Sequence, residues 1–315
     1  MREGSKSLPQ YLTEFLDWLE IEKGLSSKSQ ENYSRFLKKF LDWLKINNLD
    51  NLKPHELTPD HIRNYRIFLS RQYLPKTKQP LKKTTQNYYL IALRSLLNYF
   101  ADSDILALPA EKIKLARDKD ERQVRFLSLE QLEKLFSAPN TSEIQGLRDR
   151  AIFEALFSTG MRIAELVALN REQIRIKPGM NELELSILGK GGRIRTVYFS
   201  EKALSWLSKY LEVRRDKEKP LFINYRKKKD TSSRLTSRSI EKIIKKYAVL
   251  VGLPITTTPH VMRHSFATDL LSQGVDLRTI QEFLGHKSIT ATQIYAHVTS
   301  KKLREIHRKF HSGNK

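Results

Sequence analysis

Residues 182–200 read E-L-E-L-S-I-L-G-K-G-G-R-I-R-T-V-Y-F-S, and they decide the fold class of this chain. Leu183, Leu185 and Ile187 alternate with polar residues, which is the period of a half-buried β-strand. A second β-rich run follows the glycines, so the stretch predicts an antiparallel hairpin with Lys190 at its tip. The sequence on either side has mostly helical periodicity. We therefore predict a mainly α fold with one small antiparallel β-sheet.

Residues 1–105 have the spacing and the start signals of several amphipathic helices. Ser27 with Gln30 resembles a capping box, and Thr58 stands before a proline that suits the first helical position. A further helix is predicted after Thr84 or the threonine that follows it. The apolar faces of these helices predict a bundle of about four helices.

Residues 106–125 are charged and lack a long apolar stripe, which predicts an extended or partly helical linker between two domains. Ser128 with Gln131 forms another capping box, and regular order resumes there. We predict a second domain over residues 126–315, since a chain of this length suits about two domains.

Composition points to nucleic acid as the partner. The 315 residues carry a formal net charge of +22, which produces a long-range positive field. A membrane is the weaker choice, because no apolar run of ~18 residues is present and the N-terminus lacks the apolar stretch of a signal peptide. Cysteine is absent, which excludes disulfides and thiolate chemistry. We expect a cytoplasmic protein that binds no membrane.

An ordered set of residues in the second half of the chain could attack a phosphodiester and stabilise the product of attack. Arginines neutralise and fix phosphoryl oxygens, and two arginines with a histidine can stabilise a phosphorane. A lysine can protonate the departing alkoxide, and a histidine can accept a phenolic proton. A tyrosine, with an unperturbed pKa of ~10, could then act as nucleophile without a metal or another cofactor. The set comprises Arg162 in T-G-M-R-I-A-E-L, Lys190 in G-K-G-G-R, His260 and Arg263 in H-V-M-R-H, His286 in L-G-H, and Tyr295.

Each of these residues, taken alone, also has an ordinary structural explanation. Tyr295 would be a core or interface residue, Lys190 a solvated turn residue, and His286 part of a helix-ending turn. Arg162 stands at a predicted helix start, where the dipole disfavours a cation, so it would point to solvent or into a phosphate site. Glu165 would orient that guanidinium or form an ordinary pair with it. Only the complete order favours the chemical interpretation.

His260 and His264 are four residues apart, a spacing that could suggest zinc. Val261 stands where the glutamate of H-E-x-x-H would be, and Arg263 adds a cation to the same helix. No cysteine and no obvious carboxylate ligand follow at metal spacing. We therefore predict no metal site, and we expect His264 to pack or to form a hydrogen bond.

This set of motifs resembles the tyrosine recombinases of the phage-integrase and Xer family, and the resemblance is strongest from Ser128 to Val298. T-G-M-R-I-A-E-L resembles the first arginine box of the family, which implies a catalytic Arg162 and a supporting Glu165. The hairpin lysine, the H-x-x-R box, the L-G-H box and the nucleophile match Lys190, His260 with Arg263, His286 and Tyr295 in turn. The N-terminal bundle is similar to the SAM-like core-binding domain of the family.

The resemblance implies a DNA strand exchange that needs neither ATP nor metal. Tyr295 would form a 3′-phosphotyrosyl link and release a 5′-hydroxyl, and a hydroxyl from a partner strand would then reverse the step through a Holliday junction. The implied roles of the other residues are phosphate binding by Arg162, Arg263 and His286, general acid catalysis by Lys190, and assistance in proton transfer by His260.

The resemblance also implies an assembly. Two domains would clamp double-stranded DNA, and four protomers on two recombination sites would form a tetrameric synapse. The narrow apolar stripe of Leu303, Ile306 and Phe310 would dock a C-terminal helix into a neighbouring protomer. A partner recombinase and an activating DNA translocase are further partners that the resemblance allows.

The sequence alone allows four functions. The length favours a Xer-like recombinase that resolves chromosome or plasmid dimers, because 315 residues leave no room for an additional arm-binding domain. A mobile-element integrase has the same architecture. A type IB topoisomerase shares the phenol chemistry but typically carries lysine in place of His260. A non-catalytic DNA-binding protein would not need the complete set of residues. Neither the DNA target nor the base-reading side chains follow from spacing.

Overall fold

The chain divides into two structural units, Met1–Glu121 and Arg122–Lys315. Both are built mainly from helices, and the second also contains a two-stranded antiparallel sheet, which confirms the predicted fold class. None of the helices in the described ranges combines the length and the apolar character that a membrane span requires. The computed structural model describes residues 1–73, 80–116, 125–189, 192–225, 233–286, 288 and 292.

The described part of the first unit contains four α-helices connected by short helical turns. They are α1 (Leu12–Ile21), α2 (Ser27–Ile46), α3 (Pro59–Ile67) and α4 (Lys83–Asp102). The start of α3 agrees with the sequence prediction, since the Thr58 hydroxyl accepts from the His61 N–H at 3.3 Å. Pro59 takes the first helical position, where its missing N–H leaves no partner unsatisfied.

Two helix starts lie slightly upstream of the predicted positions. Ser26, and not Ser27, is the N-cap of α2, because Ser26 has the extended backbone that this position requires. The Gln30 side chain donates to the carbonyl of Leu25 at 2.9 Å instead of closing a capping box. α4 begins at Lys83, so both candidate capping threonines lie inside the helix.

Aromatic rings form the centre of the core of the first unit. Phe15, Phe40, Tyr65 and Phe100 have almost no exposed surface. Phe40 and Tyr65 meet edge to face with ring centroids 4.9 Å apart, an arrangement that aromatic quadrupoles favour. Burial of each phenylalanine ring contributes about 1.5–3 kcal/mol, so apolar packing holds the bundle together.

The first part of the predicted linker is attached to the first unit. Ala110 and Ile113 are buried in the core of this unit. The Asn87 side chain, on α4, exchanges hydrogen bonds with the main chain of Ala116 at 2.8 and 3.1 Å. The segment is therefore anchored as far as Ala116, and residues 117–124 lie outside the described residues.

The described part of the second unit contains seven α-helices and one β-hairpin, and the second of these helices is its central helix. Its helices are α5 (Leu129–Ser137), α6 (Ile144–Thr159), α7 (Ile163–Ala168), α8 (Glu201–Glu212), α9 (Ser237–Leu250), α10 (Pro259–Gln273) and α11 (Leu277–Leu284). α5 begins with the predicted capping box: Ser128 Oγ accepts from the Gln131 N–H at 3.2 Å, and Gln131 Oε1 accepts from the Ser128 N–H at 3.0 Å.

The hairpin consists of β1 (Glu182–Leu188) and β2 (Ile194–Ser200), which pair antiparallel as predicted. Ile187, Val197 and Phe199 are buried, and the hairpin packs against α6 and α8. The alternation in the sequence thus puts one face of the hairpin into the core and leaves the other to solvent.

The central helix α6 is buried on most of its surface, including several charged side chains. Arg148 pairs with Asp149 at 2.7 Å, and Arg150 pairs with Glu154 at 2.8 Å. These pairs offset part of the large cost of removing charges from water, and burial still keeps the pKa values of Asp149 and Glu154 above their ordinary values. α6 ends at Gly160, whose φ of +56° and whose contact with Phe266 both require glycine, since a Cβ would lie 2.4 Å from that ring. This turn delivers Arg162 to the start of α7.

Candidate active site

Arg162 is the N-cap residue of α7, and Glu165 holds it in place. The Arg162 main-chain N–H donates to Glu165 Oε2 at 2.7 Å, and Nη1 donates to Glu165 Oε1 at 3.1 Å. Nη2 donates to the carbonyl of Gly285 at 3.2 Å. The side chain stays 29 % exposed. The geometry therefore favours orientation of the guanidinium by Glu165 over a solvent-directed arginine.

Arg195, on β2, joins the same carboxylate and was missed by the sequence argument. Its Nη1 and Nη2 donate to the two oxygens of Glu165 at 2.9 and 2.7 Å, and its Nε donates to the carbonyl of Phe283 at 3.2 Å. One signal could have found it. Arg195 lies two residues before Val197 and is in phase with the buried face of β2, where an unpaired cation would be costly.

Burial and hydrogen bonding shift the pKa of Glu165 in opposite directions. Burial of the carboxylate disfavours its charge. Hydrogen bonds from Arg195 and from the Arg162 N–H, with the charges of both guanidinium groups, outweigh burial and hold the pKa of Glu165 below its ordinary value. Glu165 is therefore ionised at neutral pH and can orient both arginines.

Arg263, on α10, bridges the two turns that carry Arg162 and His286. Thr258 caps α10 and places Arg263 in its second turn. The residue is 5 % exposed. Its Nη1 donates to the carbonyl of Gly160 and its Nη2 to the carbonyl of Leu284, both at 2.5 Å. Arg263 thus ties the end of α6 to the end of α11.

Gly285 ends α11 with a left-handed backbone, as predicted for a helix-ending turn before His286. Its φ is +60°, and a Cβ there would lie 2.7 Å from Cδ of Arg195. The His286 N–H donates to the carbonyl of Gln281 at 3.1 Å. Both the backbone angle and the closeness of Arg195 therefore require glycine at this position.

His286 is half-buried and neutral at physiological pH. Burial, followed by the charges of Arg263 and Arg162, lowers the pKa of His286 to about 4. Its Nδ1 lies 2.9 Å from the hydroxyl of Thr292. A neutral imidazole has one donor and one acceptor nitrogen, so His286 can exchange hydrogen bonds with both Thr292 and a ligand.

The other two histidines of this region lie on α10. His260 is exposed in its first turn. His264 is half-buried, and burial together with the charges of His260 and Arg263 lowers the pKa of His264 to about 4. In the described part of the chain, no three histidine, aspartate or glutamate side chains come together as metal ligands would.

Lys190 and Tyr295, the predicted general acid and nucleophile, lie outside the described residues. Gly189, which precedes Lys190, and Thr292, which lies three residues before Tyr295, are described. The Gly189 N–H donates to the carbonyl of Arg193 at 2.7 Å and extends the hairpin ladder toward its tip. Thr292, three residues before Tyr295, is fully buried against His286. The C-terminal stripe with Leu303 also lies outside the described residues.

A cleft of about 450 Å³ brings together two of the predicted site residues, Arg162 and His286, whereas Arg263 and His260 are not among its lining residues. Arg162, Arg195, Gly189, Gly285 and His286 all line it. Four arginines line the cleft (Arg162, Arg193, Arg195 and Arg278), and they outnumber the carboxylates of the lining Glu282 and of the buried Glu165 that pairs with two of them. The cleft can therefore hold an anion such as a phosphodiester and fix its oxygens through arginine and histidine.

Family profiles match both structural units. Residues 125–302 match the Phage integrase family, and residues 12–103 match the phage integrase N-terminal SAM-like domain. The chain is 36 % identical to the tyrosine recombinase XerC of Thermodesulfovibrio yellowstonii, over 97 % of each chain. It is 33 % identical to the tyrosine recombinase XerD of Lacticaseibacillus casei, over 95 % of this chain and 98 % of that protein.

The fold is also similar to that of solved recombinase structures. The crystal structure of XerH bound to palindromic difH substrate, a post-cleavage complex, aligns over 96 % of this chain and 90 % of that chain with a TM-score of 0.70. The sequence identity over this alignment is 23 %, so the likeness concerns the fold.

Proposed function

We propose a mechanism for this chain on one premise: the chain belongs to the phage integrase family, and it is a site-specific tyrosine recombinase, an enzyme that cleaves and rejoins DNA. In this mechanism the cleft holds the scissile phosphate, and Tyr295 attacks it. One observation carries the proposal: Arg162 and His286, 124 positions apart in the sequence, line the same cleft.

Arg162 and His286 would bind the non-bridging oxygens of the phosphate. Arg162 offers a guanidinium that Glu165 holds and that is partly exposed. His286, kept neutral by burial and by the arginines, would donate one hydrogen bond. Arg263 would add positive charge and fix the turns on either side, because its described hydrogen bonds go to main-chain carbonyls. Such preorganised donors stabilise the charge that develops in the transition state.

The bond changes balance without a cofactor. The phenolic oxygen of Tyr295 would bond to phosphorus, with His260 accepting or relaying its proton. The bond from phosphorus to the 5′-oxygen would break, and Lys190 would protonate that oxygen. A 5′-hydroxyl from the partner strand would reverse these steps and release Tyr295. Because the phosphotyrosyl ester conserves the bond energy, no ATP is needed.

Double-stranded DNA at a recombination site would be the substrate. The net charge of +22 supports such a partner, as does the substrate DNA named for XerH. We propose a core-binding domain over residues 1–105, a linker over 106–125 and a catalytic domain over 126–315. A C-terminal helix with Leu303, Ile306 and Phe310 would link four protomers into a synapse that passes through a Holliday junction.

The role that we propose is the resolution of chromosome or plasmid dimers, and it rests on the similarity to tyrosine recombinases named XerC and XerD. We place this reaction in the cytoplasm, alone or with a second recombinase and a DNA translocase. The target sequence could be found by searching the genomic surroundings for an inverted repeat that the protein protects.

A supercoiled plasmid with two copies of the protected site tests the function. We expect recombinant products that depend on both sites, with cleavage mapped to fixed positions in each site. Relaxation of the plasmid without recombinant products would indicate a topoisomerase. Protection of the site without any cleavage would indicate a non-catalytic DNA-binding protein.

A further inference from the structure

Two arginines share one buried carboxylate beside the cleft. Each oxygen of Glu165 accepts one hydrogen bond from Arg195 and one from Arg162. The side chains of Arg195 and Glu165 are 11 % and 6 % exposed. The planar fork of Arg195 matches the two oxygens, a geometry that the single ammonium of lysine cannot reproduce.

Arg195 also contacts the end of α11 and the base of the hairpin loop. Its Nε donates to the carbonyl of Phe283 at 3.2 Å, and its side chain lies against the backbone of Gly285. Its Nη1 is close to Gly189, where a Cβ would lie 3.3 Å from that nitrogen. One side chain thus connects α7, α11 and the hairpin.

The charge of the cluster depends on Arg195. Two guanidinium groups and one carboxylate leave one net positive charge. Without Arg195, the carboxylate of Glu165 would neutralise Arg162 and would bond to it alone. Because the site is largely buried, this pair would attract more strongly than in water, and Arg162 would turn away from the cleft. An anionic phosphate would then lose its main electrostatic partner.

We propose that Arg195 is a positioning residue for the recombination reaction. It pairs with the carboxylate of Glu165, so that the cluster keeps a net positive charge and Arg162 stays directed at the scissile phosphate. The proposal rests on the proposed function of Arg162. Arg195 acts through Glu165 and does not itself need to touch the phosphate.

Two substrates distinguish this role from a purely structural one. One has an ordinary scissile phosphodiester, and the other has a methylphosphonate at the same position, in which a methyl group replaces a charged oxygen. If a residue preserves the positive charge that binds the phosphate, its substitution should slow cleavage less when the phosphate is neutral. A residue that only holds the fold together matters equally for both substrates.

The variants are Arg195→Lys and Arg195→Met, with Arg238→Lys as the matched control. Arg238 also pairs with a glutamate, at 2.9 Å, but its side chain is 78 % exposed and lies outside the cleft. Formation of the covalent protein–DNA adduct is followed in single-turnover experiments, and each melting temperature is measured. Arg195→Met leaves the buried carboxylate of Glu165 with only one cationic partner, so this variant is at risk of not folding. In that case the comparison of the two substrates is made with Arg195→Lys.

On the phosphodiester, we expect adduct formation to fall about 100-fold in Arg195→Met, the scale of a small misplacement of a catalytic group, and by less in Arg195→Lys. On the methylphosphonate, we expect a much smaller loss for both variants, and no change for Arg238→Lys on either substrate. An equal loss on both substrates, or no loss on the phosphodiester, would overturn the proposal. If the unsubstituted protein forms no adduct with either substrate, it is the proposed function that fails.

Discussion

Nδ1 of His286 lies 2.9 Å from the hydroxyl of Thr292. Thr292 is fully buried and precedes the proposed nucleophile Tyr295 by three residues. The tautomer of a neutral histidine is set by the partner of one ring nitrogen. If the Thr292 hydroxyl donates to Nδ1, the proton lies on Nε2, and this nitrogen can donate to a phosphate oxygen.

The first prediction concerns this hydrogen bond. Thr292→Val keeps the shape of the side chain but removes the hydroxyl, so we expect the rate of adduct formation to fall about tenfold, the equivalent of one hydrogen bond. Thr292→Ser keeps the hydroxyl and should retain most of the activity. Single-turnover cleavage of a nicked DNA site measures both. Equal activities of the two variants would show that the hydrogen bond does not matter.

The second prediction concerns the pH dependence of stability. The pKa values of His264 and His286 are about 4 in the folded protein, mainly through burial, against an ordinary value of 6.5. Between these values the unfolded chain binds more protons, so the two histidines lower the free energy of unfolding as pH falls from about 6.5 to about 4. This contribution does not change further below the folded pKa.

NMR of the histidine resonances in the labelled protein, from about pH 8 to about pH 4, tests these two pKa values directly. We expect the resonances of His264 and His286 to move only near the acid end, and urea unfolding to show the matching loss of stability. Titration of both rings near 6.5 would contradict the account.

The third prediction compares two glycines with left-handed backbone. Gly285→Ala would place a Cβ 2.7 Å from Arg195, whereas Gly252 has a φ of +72° and nothing within 4 Å of its Cβ position. Both substitutions should cost about 1–2 kcal/mol for the backbone conformation. Only Gly285→Ala should lose further stability and also slow cleavage, because it displaces Arg195. Urea unfolding and adduct formation measure the two effects. Equal effects of the two substitutions would argue against the role of this contact.

Local sequence patterns predicted those elements whose start and type depend on residues that are close in sequence. The alternation of Leu183, Leu185 and Ile187 predicted β1, and the pair Ser128 and Gln131 predicted the start of α5. Ser26 took the place of Ser27 as a cap because adjacent serines offer the helix two possible starts. Such one-residue choices depend on backbone angles that the sequence pattern does not contain.

The sequence predicted a set of site residues but not their contacts. The motifs indicated Arg162, Arg263 and His286, which lie far apart in sequence. Arg263 donates to the carbonyls of Gly160 and Leu284, and no side-chain pattern reports a main-chain acceptor. Arg195 could have been found from its phase in β2, but its pairing with Glu165 depends on how the hairpin packs.

The fourth prediction concerns salt. Because the chain carries a net charge of +22, DNA binding should release many counterions. For about 6–10 phosphate contacts, affinity should fall by about 10³–10⁵ between roughly 50 and 200 mM salt. Fluorescence anisotropy with a labelled duplex measures the slope. An affinity that does not change with salt would contradict binding driven by phosphate contacts.

The central claim is that Tyr295 is the nucleophile, and Tyr295→Phe tests it most directly. The substitution removes one phenolic oxygen and leaves the ring, so DNA affinity should be retained. The measurement is the yield of covalent protein–DNA adduct on a nicked site that traps the cleaved strand. The account predicts a 3′-linked adduct with the unsubstituted protein and none with Tyr295→Phe. An adduct of undiminished yield in the variant would contradict it.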